Sequence, residues 1–158
     1  FYLDKVLMDG ETDRDVIAIL IKKADELVGM RSWERESAAM TLYARLGVIA
    51  PVHRGARLAV LAMEHGERMG RAMGAGFIYT LATMKMPHMQ LALERAGYQL
   101  IGFMPGYGRE QVSPGVVKRV FEAGDAKRLA PADEFLRPED ENMTPNAKRL
   151  FDIMFPPE

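Results

Sequence analysis

The stretch AMTLYARLGVIAPVHRGARLA, residues 39–59, decides the fold. Its first half is largely apolar, which predicts a strand over residues 40–50. After Pro51 the pattern changes, and from Leu58 the apolar residues recur with the period of a helix. The basic turn RGAR, residues 54–57, joins the predicted strand to the predicted helix. The stretch therefore predicts a strand that leads two guanidinium groups and free backbone amides to a helix start, where an anion can bind.

The residues that follow complete a strand–helix–strand unit. Residues 58–73 have helical spacing, and residues 77–84 form a strand that is apolar on both faces and hence central. The predicted buried stripe of the helix is Leu58, Leu61, Ala62, His65, Met69, Ala72 and Met73. Small residues recur every four positions, at Ala62, Gly66, Gly70 and Gly74. This small-residue ridge permits close packing of the helix on a sheet, and the unit predicts parallel strands with a right-handed crossover.

Antiparallel strands are predicted on either side of this unit. Residues 15–23 and 27–33 are apolar around a short polar turn, which predicts a hairpin covered on both faces. Strands are also expected over residues 98–104 and 116–122, with a shaped loop between them because two Pro-Gly turns bracket it.

Three further helices are expected. Residues 1–8 carry one helical stripe, through Tyr2, Leu3 and Val6, and are interpreted as a helix end. Pro87 opens a helix that Gly97 ends. An acidic connector precedes a terminal helix that Thr144 caps. The buried face predicted for that terminal helix is Ala147, Leu150, Phe151 and Met154.

Together these elements predict an α/β (α+β) fold. Its central sheet is mixed and mostly antiparallel, with one parallel βαβ unit and helices on both faces. We expect a single domain over residues 1–158, with a core at about residues 15–127 and a connector and helix over residues 128–158.

The composition is that of an ordinary soluble domain. The chain has 158 residues, 48% hydrophobic and 27% charged, a size that normally forms one domain with its own core. Its 21 Lys and Arg balance 22 Asp and Glu, so no overall basic field predicts a nucleic-acid partner. No apolar run approaches the ~20 residues that span a bilayer, so no membrane partner is expected. The absence of Cys fits a reducing cytoplasm, and the start at Phe1 leaves an N-terminal signal open.

Two segments carry a family resemblance. Residues 48–59, VIAPVHRGARLA, resemble the pyrophosphate-binding motif of the GNAT acyltransferases, Val-x-Pro-x-x-Arg-Gly-x-Gly-x-Gly/Ala, at the end of the fourth strand and the start of the helix that binds acetyl-CoA. Residues 89–103, MQLALERAGYQLIGF, are similar to the second motif of the family. The resemblance runs from about residue 15 to residue 122 and implies a GNAT-like fold. It also implies an acyl-CoA-dependent N-acyltransferase, in the first place an N-acetyltransferase, with acetyl-CoA or another acyl-CoA as co-substrate and an amine as acceptor.

The resemblance assigns a cofactor site. The residues expected to bind the coenzyme are Val48, Ile49, Arg54, Gly55, Ala56, Arg57, Leu58 and Ala59. Within the preceding strand Gly47 predicts a bulge that opens the sheet, although a glycine beneath a packed aromatic is an equal alternative. The amide of Val48 or Ile49 is then the expected donor to the thioester oxygen.

The chain departs from the family at three positions. Arg57 stands where the motif has its central glycine, Leu93 where the family has its tyrosine acid, and Met86 where an asparagine is common. No catalytic acid is therefore carried over. The weak candidates for a catalytic group are Tyr43 and Glu110, with Glu36 beside them, and a structural role is the alternative for each. The three scattered His residues lack the HxxxH spacing of a metal site, so no metal is expected.

Several readings of the function stay open. Tyr107 and Arg109, in the predicted loop, fit an acceptor pocket. The Met-rich residues 84–89 fit a longer acyl group. A GNAT-like protein that lost catalysis and kept a binding or regulatory role is the competing class, and a dinucleotide-binding module is disfavoured because GxGxxG is absent. The acceptor and the oligomeric state are open, with a homodimer as one alternative.

Overall fold

The computed structural model describes residues 5–8, 11, 14–55 and 57–156. The strands in these residues are β1 (Val16–Lys23), β2 (Glu26–Glu36), β3 (Thr41–Ile49), β4 (Phe77–Thr83), β5 (Gln99–Ser113) and β6 (Val116–Arg128). The helices are α1 (Leu58–Ala72), α2 (His88–Arg95) and α3 (Pro145–Met154). Short 3-10 turns occupy Pro51–His53, Ala132–Glu134 and Asp140–Asn142.

The six strands form one sheet in the order β1-β2-β3-β4-β6-β5. Only β3 and β4 pair in parallel, and α1 makes the crossover between them, as the sequence predicts. All other neighbours are antiparallel. The predicted fold class is confirmed.

Two helices cover one face of the sheet. Alternate residues of the central strands point to this face, and α1 and α2 pack on them. The largest apolar side chains buried there are Trp33, Leu42, Met63, Ile78 and Leu93. Placing these side chains in one cluster holds both helices against the sheet.

The third helix meets the other face. Gln99 pairs with Ala126, and Ala126 with Tyr79, so these side chains share the face opposite to α1. The Gln99 amide donates a hydrogen bond to the carbonyl of Met154, at the end of α3. Thr144 caps this helix as predicted, through a bond from the amide of Ala147. Its predicted buried face is only half right, because Leu150 is exposed and α3 buries no side chain fully.

Close packing of α1 depends on the small-residue ridge. A Cβ at Gly66 would collide with the indole of Trp33, and a Cβ at Gly70 would lie 2.9 Å from Leu42 Cδ1. The predicted stripe is nevertheless wrong by roughly one residue, or about 100° of helix rotation. Leu61 is 52% exposed, while Val60 is buried. The prediction counted only apolar side chains and so overlooked the glycines. In the structure, Gly66 and Gly70 make the contact between α1 and the sheet.

Three other expectations need correction. The loop predicted after residue 104 is strand, because β5 continues to Ser113 opposite β6 with register shifts on the way. The Pro-Gly pair at residues 105–106 lies in one such shift, and the pair at residues 114–115 makes the hairpin turn, where Gly115 has φ of 74°.

The start of the chain also differs from the prediction. β1 is an edge strand with Leu20 exposed, so the hairpin is not covered on both faces. Val6 bridges Val16 in a parallel fashion and is therefore not helical. The rest of the helix predicted over residues 1–8 lies partly outside the described residues, since residues 1–4 are not among them.

Candidate functional site

The parallel strands separate halfway along their length. β3 pairs with β4 only through residues 41–44, opposite residues 77–80. Beyond this point β3 stays paired with β2, and β4 stays paired with β6. The facing edges of β3 and β4 therefore carry backbone groups that no strand of the described residues pairs, and we call the space between them the strand gap.

A bulge in β3 lies beside Gly47. Arg31 and Trp33 of β2 are two residues apart, but their partners on β3, Gly47 and Ala44, are three apart. One extra residue is thus inserted in β3 next to Gly47, where the sequence predicts a bulge. Such an insertion bends the strand, which moves β3 away from β4.

The backbone of Ile49 faces the strand gap. The amide of Ala50 donates to the carbonyl of Val28, 2.9 Å away on the β2 side. The N–H and C=O groups of successive residues point to opposite sides of a strand. The backbone groups of Val48 therefore also point to β2, and the backbone amide of Ile49 points to the gap. Of the two amides predicted as donors to the thioester oxygen, the geometry favours Ile49.

Thr80 closes the inner end of the strand gap. Its hydroxyl donates to the carbonyl of Ala44 at 2.8 Å, at the last paired position of β3. Arg31 Nη2 lies 3.4 Å from the same hydroxyl oxygen. A Cβ at Gly47 would lie 2.5 Å from Arg31 Nη1, so the guanidinium fills the space between Gly47 and Thr80.

Arg31 is a buried cation that the motif analysis missed. Its side chain is 6% exposed, and burial lowers the pKa of Arg31 to about 10, against a smaller opposite effect of Tyr98 and Tyr43. The sequence does indicate that Arg31 is buried. It precedes the core residue Trp33 by two positions, and residues two apart in a strand lie on the same face.

The outer end of the gap leads to the start of α1. The first helical bond runs from the amide of Leu61 to the carbonyl of Arg57. No side chain of the described residues caps the helix, and its first turn holds no acidic residue. The amides of Leu58, Ala59 and Val60 are therefore open to an anion.

The turn before α1 has the backbone of a glycine-rich motif. Gly55 has φ of 85°, and Arg57 has φ of 58° and ψ of 10°, the left-handed region. Arg54 Nε donates to the carbonyl of Ile49 at 3.1 Å, so its side chain folds back on the end of β3. The turn is also tied to β2 through His53 Nε2 and Glu26 Oε1, 3.2 Å apart.

The predicted coenzyme residues form one continuous path. From the strand gap this path runs through Val48 and Ile49, the turn at Arg54, Gly55 and Arg57, and the helix start at Leu58 and Ala59. Ala56 lies outside the described residues. The path is long, polar at its outer end and open at the helix start.

Aromatic side chains line the opposite face beside the gap. The rings of Tyr43 and Tyr79 stack with centroids 4.9 Å apart. Tyr107 of β5 acts electrostatically on the Tyr43 hydroxyl, although β4 and β6 lie between β3 and β5 in the sheet. Burial first, and then Tyr107, raise the pKa of Tyr43 to about 12. Tyr43 and Tyr107 are thus brought together, as two predicted site residues.

A carboxylate that the motif analysis missed lies with these tyrosines. Burial, and then the charge of Glu110, raise the pKa of Glu122 above its usual range. Glu110, a predicted candidate, forms an ion pair with Lys85 at 3.5 Å. Glu36 instead accepts a hydrogen bond from the Tyr79 hydroxyl at 2.7 Å, and this contact gives Glu36 a structural role. Arg109 lies exposed on β5 rather than in a loop.

Other kinds of site find no support in the described residues. No three or more His, Asp or Glu side chains among them are placed to hold a metal ion. No helix in that part of the chain is long and apolar enough to cross a membrane. A separate cavity of about 260 Å³, lined in part by Arg35, Thr41 and Met73, lies at the other end of β3 from the strand gap.

Comparison with solved structures shows which fold this is. A GNAT-family protein from Desulfovibrio desulfuricans superposes with a TM-score of 0.62 at 13% identity, over 73% of this chain and 70% of its own. The spermidine/spermine N-acetyltransferase SpeG from Vibrio cholerae, in mutant form, gives 0.65 at 14% identity, over 74% and 69%. The chain has the GNAT fold.

A third GNAT-like structure was solved with a coenzyme. The microcin C7 self-immunity acetyltransferase MccE, in complex with acetyl-CoA and AMP, gives a TM-score of 0.62 at 14% identity, over 72% of this chain and 61% of its own. No protein-family model matches the sequence, and no curated protein does. The likeness to known GNAT structures is therefore one of fold.

The GNAT resemblance can now be examined at its three departures. The position of the central motif glycine, Arg57, keeps the left-handed backbone that glycine adopts most easily. Leu93, at the position of the family's tyrosine, is fully buried in the core under α2. Met86 is exposed before α2. Of these three residues, Arg57 alone has a positive φ.

Proposed function

We propose that the chain is an acyl-CoA-dependent N-acyltransferase, in the first place an N-acetyltransferase, that transfers the acyl group directly to an amine. The observation that carries this proposal is the strand gap that leads from Thr80 past Ile49 to the uncapped start of α1. The GNAT fold, shared with several acetyltransferases, supports it.

The coenzyme would follow the path described above. Its pyrophosphate would bind the amides of Leu58 and Ala59 at the helix start, with Arg54 and Arg57 beside it. Its pantetheine arm would pair with the backbone of Ile49 like an added strand. Ile49 and Gly47 are two residues apart, about 7 Å along a strand, so the thioester would lie at the inner end of the gap.

The acceptor would reach the thioester from the face of Tyr43 and Tyr107. The neutral amine attacks the thioester carbon, a C–N bond forms, and the C–S bond breaks to release the thiolate of CoA, which takes up the proton that the attacking nitrogen loses. Glu122 is the candidate base that takes the proton from the ammonium, since a carboxylate with a raised pKa is the better base. In this arrangement Tyr43 and Glu110 lie on the side of the sheet from which the amine approaches.

Isothermal titration with acetyl-CoA and with CoA tests the proposal. We expect both ligands to bind, and Arg54→Glu to weaken both by about tenfold or more because it reverses a charge beside the pyrophosphate. Arg68→Glu is the matched control, since Arg68 is exposed within α1, and it should leave the affinity within about twofold. Absence of binding at millimolar ligand, together with no effect of Arg54→Glu, would refute the proposal.

A binding or regulatory protein with the GNAT fold is the second candidate. The observation that favours it is Leu93, a buried aliphatic residue where the family has its acid. Intact affinity for CoA without turnover over a panel of amines would support this candidate. Acetylation of any amine in the panel at a rate above the uncatalysed one would exclude it.

The length of the acyl group is a separate question. Met84 and Met86 are exposed between β4 and α2, where their flexible side chains can accept a longer chain. Thermal shifts with a panel of acyl-CoAs rank the chain lengths. Larger shifts for longer chains would support this variant, and equal shifts would count against it.

A further inference from the structure

Arg31 has no acidic partner among the described residues. Its only hydrogen-bond partner there is the Thr80 hydroxyl, at 3.4 Å, and its Nε is buried without any partner. A buried cation normally requires a carboxylate beside it, because transfer from water to the protein interior is costly. Arg35, four residues further on the same strand, has such a partner in Asp15, at 3.5 Å.

The charge of Arg31 is directed at the strand gap. The Thr80 hydroxyl gives its own proton to Ala44, so only its lone pairs are available to Arg31. The guanidinium lies against Gly47, and any side chain at position 47 would displace it. A positive charge is therefore held, with no neutralising anion in the part of the chain that the structure describes, at the end of the gap where the thioester would lie.

We propose that Arg31 is a catalytic residue that donates a hydrogen bond to the thioester carbonyl oxygen and stabilises the negative charge that develops there. This inference rests on the proposed function. When the amine attacks, the electron pair of the C=O bond moves to the oxygen, and it returns as the C–S bond breaks. The carbonyl oxygen is neutral before attack and anionic at the intermediate, so an uncompensated cation stabilises the transition state more than the substrate.

The charge of Arg31 can act on the carbonyl oxygen because none of the described residues places a carboxylate beside the guanidinium. A permanent acidic partner would cancel the field of Arg31 at the oxygen, as Asp15 does for Arg35. Because Arg31 is only 6% exposed, water also screens its charge little. The Ile49 amide, on the β3 edge of the same gap, would supply a second donor, and the two donors together would form an oxyanion hole.

An infrared measurement on bound acetyl-CoA tests the inference without an acceptor. With 13C at the acetyl carbonyl, we expect the carbonyl stretch to move to lower frequency on binding to the parent protein. Arg31→Met should return the stretch toward its value in solution, and Arg31→Lys should leave part of the shift. Arg35→Met, on the same strand and outside the gap, should keep the parent shift.

The outcomes separate this inference from the proposed function. Absence of acetyl-CoA binding to the parent would refute the proposed function. Binding with an unshifted stretch, or with the same shift in Arg31→Met, would refute the role of Arg31 alone. Should Arg31→Met fail to fold, as judged by circular dichroism, Arg31→Gln keeps N–H donors without the charge and serves instead.

Thiol release from acetyl-CoA gives the kinetic counterpart. We expect Arg31→Met to lower kcat by about 10²-fold to 10³-fold, the usual effect of an oxyanion donor, with CoA affinity kept within about threefold. An unchanged kcat would overturn the inference. A loss of affinity confined to succinyl-CoA would also overturn it, because Arg31 would then bind a carboxylate at the end of the acyl group.

Discussion

At the scale of single residues, Arg57 has a left-handed backbone at the position where the resembled motif has a glycine. Its φ of 58° is a conformation that a side chain disfavours and glycine does not. The turn therefore keeps the shape that exposes the amides of Leu58 and Ala59, at a cost in local strain. In the proposed site, affinity for a pyrophosphate would then depend on the guanidinium groups of Arg54 and Arg57 as well as on these backbone amides.

Arg57→Gly should raise the free energy of unfolding by about 1 kcal/mol, because it removes the penalty of a left-handed residue with a Cβ. Urea unfolding followed by circular dichroism measures it. Arg68→Gly is the matched control, and this change in the interior of α1 should cost about 1 kcal/mol. A loss of stability in Arg57→Gly would contradict the account of the turn.

Gly66→Ala should destabilise the protein by about 1–2 kcal/mol. The new methyl group collides with the indole of Trp33, and this overpacking outweighs the gain in helix propensity. Leu61→Ala on the same helix should cost about 0.5 kcal/mol or less, since Leu61 is half exposed. The reverse order of the two urea midpoints would mean that α1 buries the face that periodicity predicts.

Asp125 makes stability depend on pH. It is buried, one carboxyl oxygen has no partner, and burial, and then Glu94, raise the pKa of Asp125. The folded state therefore binds the proton more tightly than the unfolded chain, and stability falls as the pH rises from about 4, the unfolded pKa, through the raised folded value. In Asp125→Asn the urea midpoint should fall less over this interval, whereas exposed Asp133→Asn should behave like the parent. Identical pH profiles for parent and Asp125→Asn would disprove the burial effect.

At the scale of secondary structure, the separation of β3 from β4 is the central feature. The separation begins at Thr80. Its hydroxyl donates to the carbonyl of Ala44, the last residue of β3 that pairs with β4. The bulge beside Gly47 and the guanidinium of Arg31 keep the two strands apart from there on.

Thr80→Val should destabilise the protein by about 1–3 kcal/mol, since it leaves the buried Ala44 carbonyl without a donor while preserving shape. Thr83→Val, at the partly exposed end of β4, should cost about 0.5 kcal/mol or less. Equal unfolding midpoints for the two variants would show that the hydroxyl of Thr80 is not what closes the gap.

The same elements show what the sequence could predict. The βαβ unit follows from a change of period at Leu58 and a handedness rule, and the coenzyme path follows from residues that are contiguous in sequence. Arg31 and Thr80 could not be found in that way, because strand pairing brings them together from 49 positions apart in sequence. Glu122 could not be found either, because its place beside Tyr43 depends on the pairing of distant strands. The continuation of β5 through Pro105 was missed because a Pro-Gly pair fits a bulge as well as a turn.

At the scale of the whole molecule, the sheet divides the site into two sides. The start of α1 and the open amides lie at one end of the strand gap, and Arg31 and Thr80 lie at the other. Tyr43, Tyr107 and Glu122 approach from the face opposite to α1. An acyl-CoA and an amine could thus meet at the gap from different sides, as direct transfer requires.

Hydrogen exchange with and without acetyl-CoA tests this central claim most directly. We predict slower exchange of the amides of Ile49, Leu58 and Ala59 when acetyl-CoA is present, with no change in β1, which lies at the far edge of the sheet. Protection of these amides would place the coenzyme along β3 and at the start of α1. Binding of acetyl-CoA with unchanged exchange at Ile49 and Leu58 would contradict the account.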